Sequence, residues 1–394
     1  MCSKKNWIVC FGGEDWWYHS HAHFDIQVMK KLSQDIPVLY VNSIGMRMPS
    51  ITKDALFWKR IFRKLKSVMK LLKRVSPTLY VYSPLPLPLY QQSWGRSLNS
   101  FIIRTQLSAI YLRLGIKSPV VWVNTPTAWP IVESLRKSGL VYQRTDDYAA
   151  YDFDNFNAEY VKSIDNNLVR GSDLIIHVSN ELHKEASRIT DKSILLPQGV
   201  DDRFFQHPCV VPSDMAAIKR PIVGYIGGMD RHKFDTPLVT EVVKNLPDCS
   251  FVLVGVPNPN VDELRTYSNV HFLGVKGHDE IPAYVHNFDV CILPTARTEW
   301  GLKCRPLKLM EYLAADKPVV ATATPASAEY SKYINISNDP SSWVESIRRI
   351  TMSDPSSAEQ NRTKGDYNFT TWSDIADQLL SRLHSAEILR NDHD

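Results

Sequence analysis

Glu299-Trp300-Gly301-Leu302-Lys303-Cys304-Arg305-Pro306-Leu307-Lys308-Leu309-Met310-Glu311-Tyr312-Leu313-Ala314-Ala315-Asp316-Lys317-Pro318-Val319-Val320 runs from a turn through a helix into a strand. Pro306 suits the first turn of a helix, where its missing N–H is no loss. The apolar spacing of Pro306–Ala315 is helical, and Val319–Ala321 begins a short apolar strand. Working outward, Val290–Leu293 is a strand, preceded by the helical stretch Glu280–Asn287. Further strands read at Ile222–Ile226, Ser250–Val254 and Val270–Leu273, with helices at Leu238–Asn245 and Ser342–Thr351. Strands that are apolar almost throughout, alternating with helices, imply a parallel sheet covered on both faces.

The N-terminal half repeats this architecture without any short sequence repeat. Its strands are Trp7–Phe11, Val38–Val41, Leu79–Tyr82, Val120–Val123, Leu140–Gln143, Leu174–Val178 and Ser193–Leu196. Helical periodicity fills Phe24–Gln34, Ser100–Leu114, Ala128–Ser138 and Glu159–Val169. Gln206–Arg220 is proline-bearing and aperiodic, which predicts a linker. The expected organisation is an N-terminal Rossmann-like domain over 1–205, a linker over 206–220, a C-terminal Rossmann-like domain over 221–365, and a terminal segment, 366–394, whose helix Trp372–His384 packs back toward the first domain. Two such domains predict a small-molecule site in a cleft between facing carboxyl edges.

Composition agrees with a globular enzyme-sized chain. It has 394 residues, 44% hydrophobic and 22% charged, which excludes disorder or coiled coil for the bulk. No apolar run reaches the ~18 residues of a membrane span. The apolar stretch near the N-terminus is too short for a signal peptide, so a cytoplasmic protein is expected. Six cysteines, at 2, 10, 209, 249, 291 and 304, fit neither a zinc nor a disulfide pattern. Cys10, Cys249 and Cys291 lie in strand-like runs and read as packing residues.

Charge is uneven. Residues 1–200 carry 26 Lys+Arg against 16 Asp+Glu, and residues 201–394 carry 20 against 26. Lys59, Arg60, Arg63, Lys64, Lys66, Lys70, Lys73 and Arg74 fall together with no acid among them. Apolar residues Trp58, Ile61, Phe62, Leu65, Val68, Met69 and Leu72 follow helical spacing between them. A basic amphipathic helix spanning about 56–75 suits an anionic membrane surface. A core-packed surface helix gives the same pattern, and no nucleic-acid motif accompanies it.

Several clusters could carry chemistry. Lys308 and Glu311, three apart, share a face at a helix start, where free N–H groups favour anions. A cation there suits phosphate, and a carboxylate one turn deeper suits a ribose diol; an ordinary ion pair has the same spacing. Gly12 and Gly13 follow the first strand and would let backbone approach a donor phosphate. His19, His21 and His23 alternate beyond them; hydrogen bonding to substrate, capping or packing, and a metal site all fit. Asp146, Asp147 and Tyr148 follow another strand, where a carboxylate could take an acceptor hydroxyl's proton or cap a helix. Asp152-Phe153-Asp154 is a lone D-x-D and a weak metal signal.

Taken together these stretches resemble the retaining GT-B glycosyltransferases of bacteria, in particular those of teichuronic-acid and exopolysaccharide synthesis. Val223–Gly228, Phe251–Gly255, Asn269–Gly274, Phe288–Pro294, Lys308–Val320 and Leu196–Asp201 carry the resemblance. It implies an α/β GT-B fold, with two doubly wound Rossmann-like domains facing across a cleft. The activity it implies is transfer of a sugar from a nucleotide diphosphate to a glycan or lipid-linked acceptor in cell-surface polysaccharide synthesis, with retained configuration and no metal. Glu311 matches the glutamate that binds the donor ribose. The family's upstream partner position is occupied by Lys303, and Glu299 is the nearest carboxylate. Gly227 and Gly228 match the opening glycine turn, followed by Arg231 and Lys233 in place of the usual cations. Val275 follows the strand before the base-binding loop. Arg305, Lys308 and Leu309 complete the implied donor set. Asp146, His19 and Glu299 are the implied catalytic candidates, with His21, Asp147 and Tyr148 on the acceptor side. The expected location is the inner face of the plasma membrane. A sugar-nucleotide epimerase and a silent scaffold are the alternatives.

Overall fold

The computed structural model describes residues 6–17, 23–44, 66, 69–87, 92–148, 158–205, 210–352 and 369–389. The chain forms two units, one of Met1–Pro197 with Trp372–Asp394 and one of Gln198–Thr371.

The first unit is built on eight strands: β1 (Ile8–Phe11), β2 (Val38–Val41), β3 (Leu72–Arg74), β4 (Leu79–Tyr82), β5 (Val120–Val123), β6 (Gly139–Arg144), β7 (Leu174–His177) and β8 (Ser193–Leu195). Their order is β3-β4-β2-β1-β5-β6-β7-β8. All pairings are parallel except β3 with β4. Strands β1, β2 and β5 are buried at every position, which is why they read as continuous apolar runs. Helices α1 (Phe24–Leu32), α2 (Ser93–Leu114), α3 (Trp129–Val132), α4 (Ala158–Gly171) and α5 (Asn180–Ser187) belong to this unit.

The second unit has strands β9 (Ile222–Ile226), β10 (Ser250–Val254), β11 (Val270–Gly274), β12 (Val290–Leu293), β13 (Val319–Ala321) and β14 (Asn335–Ile336) in the order β11-β10-β9-β12-β13-β14. All are parallel. This is the 3-2-1-4-5-6 order of a dinucleotide-binding sheet, and its direction reverses between β9 and β12. Its helices are α6 (Thr236–Asn245), α7 (Ile281–Asn287), α8 (Glu299–Lys303), α9 (Leu307–Ala314), α10 (Pro325–Ala328) and α11 (Pro340–Met352). Alternate strand residues feed two cores: Val223, Phe251, Leu253 and Ile292 on one face, Ile222, Val252, Cys291 and Leu293 on the other. The last helix, α12 (Trp372–Ser385), packs on α1 of the first unit. Phe24 meets Trp372 edge-on at 5.3 Å, and Lys31 Nζ donates to Ser373 Oγ at 2.7 Å.

Three expectations need correction. The basic helix does not continue to Arg74: Lys66 is helical, but Leu72–Arg74 are strand β3, paired in register with Tyr82, Val81 and Tyr80. Leu71, in the left-handed region at φ 41°, turns the chain into that strand. The remainder of 56–65, and 67–68, lie outside the described residues. Residues 210–220 are no free linker either. The division falls after Pro197, Met215 is buried in the second unit's core, and Asp214 bonds Tyr284 at 2.9 Å. The third concerns Ala128–Ser138, which holds only a 3-10 turn and the four-residue α3; Lys137 Nζ caps the carbonyls of Val132, Glu133 and Leu135.

Candidate functional site

The second unit's site grows from helix α9. Leu309, Met310, Tyr312 and Leu313 bury its inner side, and Asp316, at φ 55°, ends it. The Tyr312 hydroxyl accepts the backbone N–H of Ile226 at 2.9 Å, which pins α9 to the carboxyl end of β9 beside the switch point. Lys308 and Glu311 are thereby carried to the glycine turn that leaves β9.

There Lys308 Nζ donates to the Tyr225 hydroxyl at 3.0 Å, and that hydroxyl donates to the Gly228 carbonyl at 2.7 Å. Gly227 has φ +142°, and a Cβ on it would lie 2.3 Å from Lys308 Nζ. Gly255, φ +146°, lets the end of β10 pass the same turn; its Cβ would lie 2.0 Å from the Gly227 carbonyl oxygen. Glycine at these two positions is therefore a steric requirement. Lys233 lies beside Gly228, paired with Asp230 at 3.6 Å and 5.5 Å over the Trp300 ring. Burial first, and then the neighbouring Lys233 cation, lower the Lys308 pKa to about 8. Two cations thus crowd one glycine turn, an arrangement that favours an anion between them.

Glu311 is 7% exposed. Among the described residues its carboxyl has no hydrogen-bond or ion-pair partner. Burial raises its pKa to about 7, against the pull of His278 and Lys308. Beside it, Asp201 accepts from Arg203 Nε and Nη2 at 2.8 and 2.6 Å and meets His278 Nε2 at 3.4 Å. Burial pushes the Asp201 pKa up, but its Arg203 and His278 hydrogen bonds outweigh this and hold it well below the carboxylate range.

The other expected donor residues are placed differently. Arg305 is engaged by Glu329 at 2.9 Å and by the Tyr330 hydroxyl, which ties it to α10 and the segment after it. Glu299 begins α8 with its side chain 72% exposed and pairs with Lys303 at 3.3 Å. Arg231 and Val275 are exposed, and Leu309 is core. Sequence reasoning missed Tyr225, Asp201, Arg203 and His278. Tyr225 and Asp201 stood in quoted stretches without a role, and nothing in spacing links a strand tyrosine to a lysine 83 positions later.

In the first unit, Gly12 sits where a Cβ would lie 2.0 Å from the Tyr40 hydroxyl oxygen. The Gly13 N–H donates to Asp25 Oδ2 at 2.9 Å, and Tyr40 donates to the same oxygen at 2.8 Å. The expected approach of a phosphate to this backbone is thus already occupied by a buried carboxylate. β6 ends at Arg144, and Asp146, Asp147 and Tyr148 follow it. Asp147 is buried, Asp146 half-buried and bonded by Thr145 Oγ1 at 3.3 Å, and Tyr148 donates to the Asn124 carbonyl at 2.8 Å. His19, His21 and the Asp152–Asp154 pair lie outside the described residues.

The chain is similar in sequence and in fold to known proteins. Residues 220–353 match the family model described as glycosyl transferases group 1. In solved structures, the chain superposes on sucrose-phosphate synthase from Thermosynechococcus elongatus with a TM-score of 0.69 at 16% identity, covering 97% of this chain and 100% of that one. The Anabaena protein HepE in complex with UDP gives 0.63 at 15% identity, covering 97% and 100%. The chain has the GT-B fold of these structures, and the match to the glycosyl transferase model falls within its second unit. The putative teichuronic acid biosynthesis glycosyltransferase TuaH of Bacillus subtilis (strain 168) is 29% identical over 229 residues. That match takes in 54% of this chain and spans 57% of TuaH, a little over half its length.

Proposed function

We propose that this protein is a glycosyltransferase that moves a sugar from a nucleotide diphosphate to a glycan or lipid-linked acceptor in cell-surface polysaccharide synthesis. The observation that carries the reading is Glu311, a carboxyl 7% exposed and unpartnered among the described residues, one helical turn from Lys308 at a dinucleotide-type switch point. A buried carboxylate without a partner is costly and is kept where a ligand supplies the missing donors. A ribose diol does so with two O–H groups.

In this reading Lys308 and Lys233 neutralise the donor diphosphate over the Gly227–Gly228 turn, doing electrostatically what a metal does in other transferases. Leaving-group charge grows as the sugar–oxygen bond breaks, so cations fixed beforehand by Tyr225 and Asp230 favour the transition state over the bound substrate. Support comes from HepE, a similar fold solved with UDP and with UDP-glucose, and from the teichuronic acid role in TuaH's name. Asp146, Asp147 and Tyr148 of the first unit take the acceptor, and retention of configuration rests on the family resemblance. A lipid-linked acceptor is consistent with a peripheral position at the inner surface of the plasma membrane.

A thermal-shift series with UDP, GDP and TDP tests the donor assignment. One of the three should stabilise the wild type and lose that effect in Glu311→Ala. Equal stabilisation of the variant, or none of the wild type, overturns it.

A further inference from the structure

Helix α2 presents an apolar face to solvent. Its inner side, Ile103, Leu107 and Ile110, packs into the first unit's core. On the opposite side stand Trp94, Leu98, Phe101 and Leu112, with Trp94, Phe101 and Leu112 exposed by 57, 63 and 87%. The hydroxyls between them turn inward: Ser97 donates to the Ser93 carbonyl at 3.2 Å, Thr105 to Phe101 at 3.0 Å and Ser108 to Arg104 at 2.9 Å. Helical spacing puts Arg96, Arg104 and Arg113 off this face. Arg96 stacks 4.3 Å over the Tyr160 ring, and Arg104 Nε donates to the Ser100 carbonyl. A surface helix ordinarily carries charge toward water. This one carries none along its outward side, and its hydroxyls are satisfied by its own backbone.

The chain leaving β4 widens the patch. Asn99 exchanges both amide hydrogen bonds with Leu87, at 2.6 and 2.9 Å, and Gln106 exchanges both with Leu85, each at 3.2 Å. These pairs hold exposed Leu85 and Leu87 against the helix as a fixed surface. The stretch of chain that carries this face is basic. Residues 55–132 contain twelve Lys and Arg and no Asp or Glu. Lys73 and Arg74 are exposed on β3, beside β4, on which α2 rests through Tyr82 and Gln106.

We infer that α2 lies flat on an anionic membrane, its outward face set among the acyl chains and the surrounding cations on the headgroups. This rests on the membrane partner proposed above but assigns it to a folded helix with a defined face. An apolar strip framed by cations suits lipid phosphates, whereas a second copy would bring like charge against like. Its 22 residues make a contact about 33 Å long. Trp94 suits the interfacial layer, where an indole keeps its N–H in water.

The experiment is co-sedimentation of the full chain with vesicles of phosphatidylcholine and phosphatidylglycerol, and of phosphatidylcholine alone, without nucleotide. The wild type should bind the anionic vesicles, less so at high salt, and pure phosphatidylcholine weakly. Phe101→Asp/Leu112→Asp should partition about tenfold less. Leu112→Gln, at a position with no core role, should weaken binding in the same direction if the double variant folds poorly. Unchanged binding by the variants overturns the inference. So does a wild type that ignores anionic vesicles, or one that is a dimer in solution and turns monomeric on substitution without any vesicle binding. If UDP, GDP and TDP all leave the wild type unstabilised while vesicle binding behaves as stated, the donor assignment fails and this inference stands.

Discussion

Lys308 Nζ and the Tyr225 hydroxyl lie 3.0 Å apart, and among the described residues that hydroxyl is the lysine's one hydrogen-bond partner. The tyrosine is buried in β9, so it fixes the cation over the glycine turn before any ligand arrives. Tyr225→Phe removes the acceptor and leaves the ring. The loss of one hydrogen bond to a charged group, about 1.5–3 kcal/mol, should lower kcat/KM about tenfold or more. The alkaline limb of the pH profile should move to lower pH as Lys308 loses the oxygen that steadies its charge. Steady-state rates across pH measure both, and an unchanged profile rejects the positioning role.

Glu311 gives a stability prediction with a definite sign. Its pKa is raised from 4.5 to about 7 by burial, so the folded protein binds the proton more tightly than the unfolded chain. The stability this gives is fully present below pH 4.5 and lost as pH rises through 7. At 7% exposure the shift corresponds to roughly 3 kcal/mol. Glu311→Gln does not titrate, so at pH 8 the ligand-free variant should melt about 5 °C above the wild type. The two should converge near pH 4.5. The same variant should bind nucleotide worse, because it offers the ribose one acceptor oxygen where the carboxylate offers two. Scanning calorimetry at several pH values checks this; a variant less stable at pH 8 would show that Glu311 has a structural partner.

Nucleotide affinity should itself be bell-shaped in pH. Glu311 accepts both ribose hydroxyls best when ionised, above about 7, and Lys308 neutralises phosphate while protonated, below about 8. Affinity should peak between those values and fall on both sides. Isothermal titration from pH 5.5 to 9.5 measures it, and a flat profile excludes both groups from the site.

Gly227→Ala tests the turn itself. The substitution puts a methyl 2.3 Å from Lys308 Nζ at a φ of +142°. The strain is about 1–3 kcal/mol, and the lysine must swing away. Nucleotide binding should fall more steeply than thermal stability. Gly228→Ala, whose new carbon meets nothing closer than 3.5 Å, is the control and should leave stability nearly unchanged.

Much of this was legible because burial on both faces leaves a strand no polar positions. β1, β2, β5, β9, β10 and β12 read directly from their apolar runs for that reason. β3 did not, because Leu72-Lys73-Arg74 is a partly exposed edge strand inside a basic run whose period is helical. β14 is two residues long. In the site, the Lys308–Glu311 spacing was visible because it is local to one helix. Tyr225 and the Asp201–Arg203–His278 group come together only through tertiary packing. The resemblance implied Arg305 as a donor residue, and its ion pair with Glu329 is a tertiary contact that no spacing shows.

The first unit contains a buried pair whose removal can be weighed. Arg144, at the end of β6, contacts Asp165 of α4 at 2.9 Å with both side chains under 10% exposed, and the Tyr142 hydroxyl donates to the same carboxylate. Burial raises the Asp165 pKa even against the Arg144 charge beside it. Arg144→Met strands that carboxylate in the core, and such a loss costs about 3–5 kcal/mol. Arg144→Met/Asp165→Asn removes the charge from both ends and should recover more than half of the stability, because the desolvation penalty goes with the ions. Because Asp146, Asp147 and Tyr148 follow Arg144 directly, the single variant should disturb acceptor use while the nucleotide-induced shift of the second unit persists. Chemical denaturation of the wild type and the two variants gives the coupling energy; a double variant as unstable as Arg144→Met would mean that the arginine acts through its packing and not through its charge.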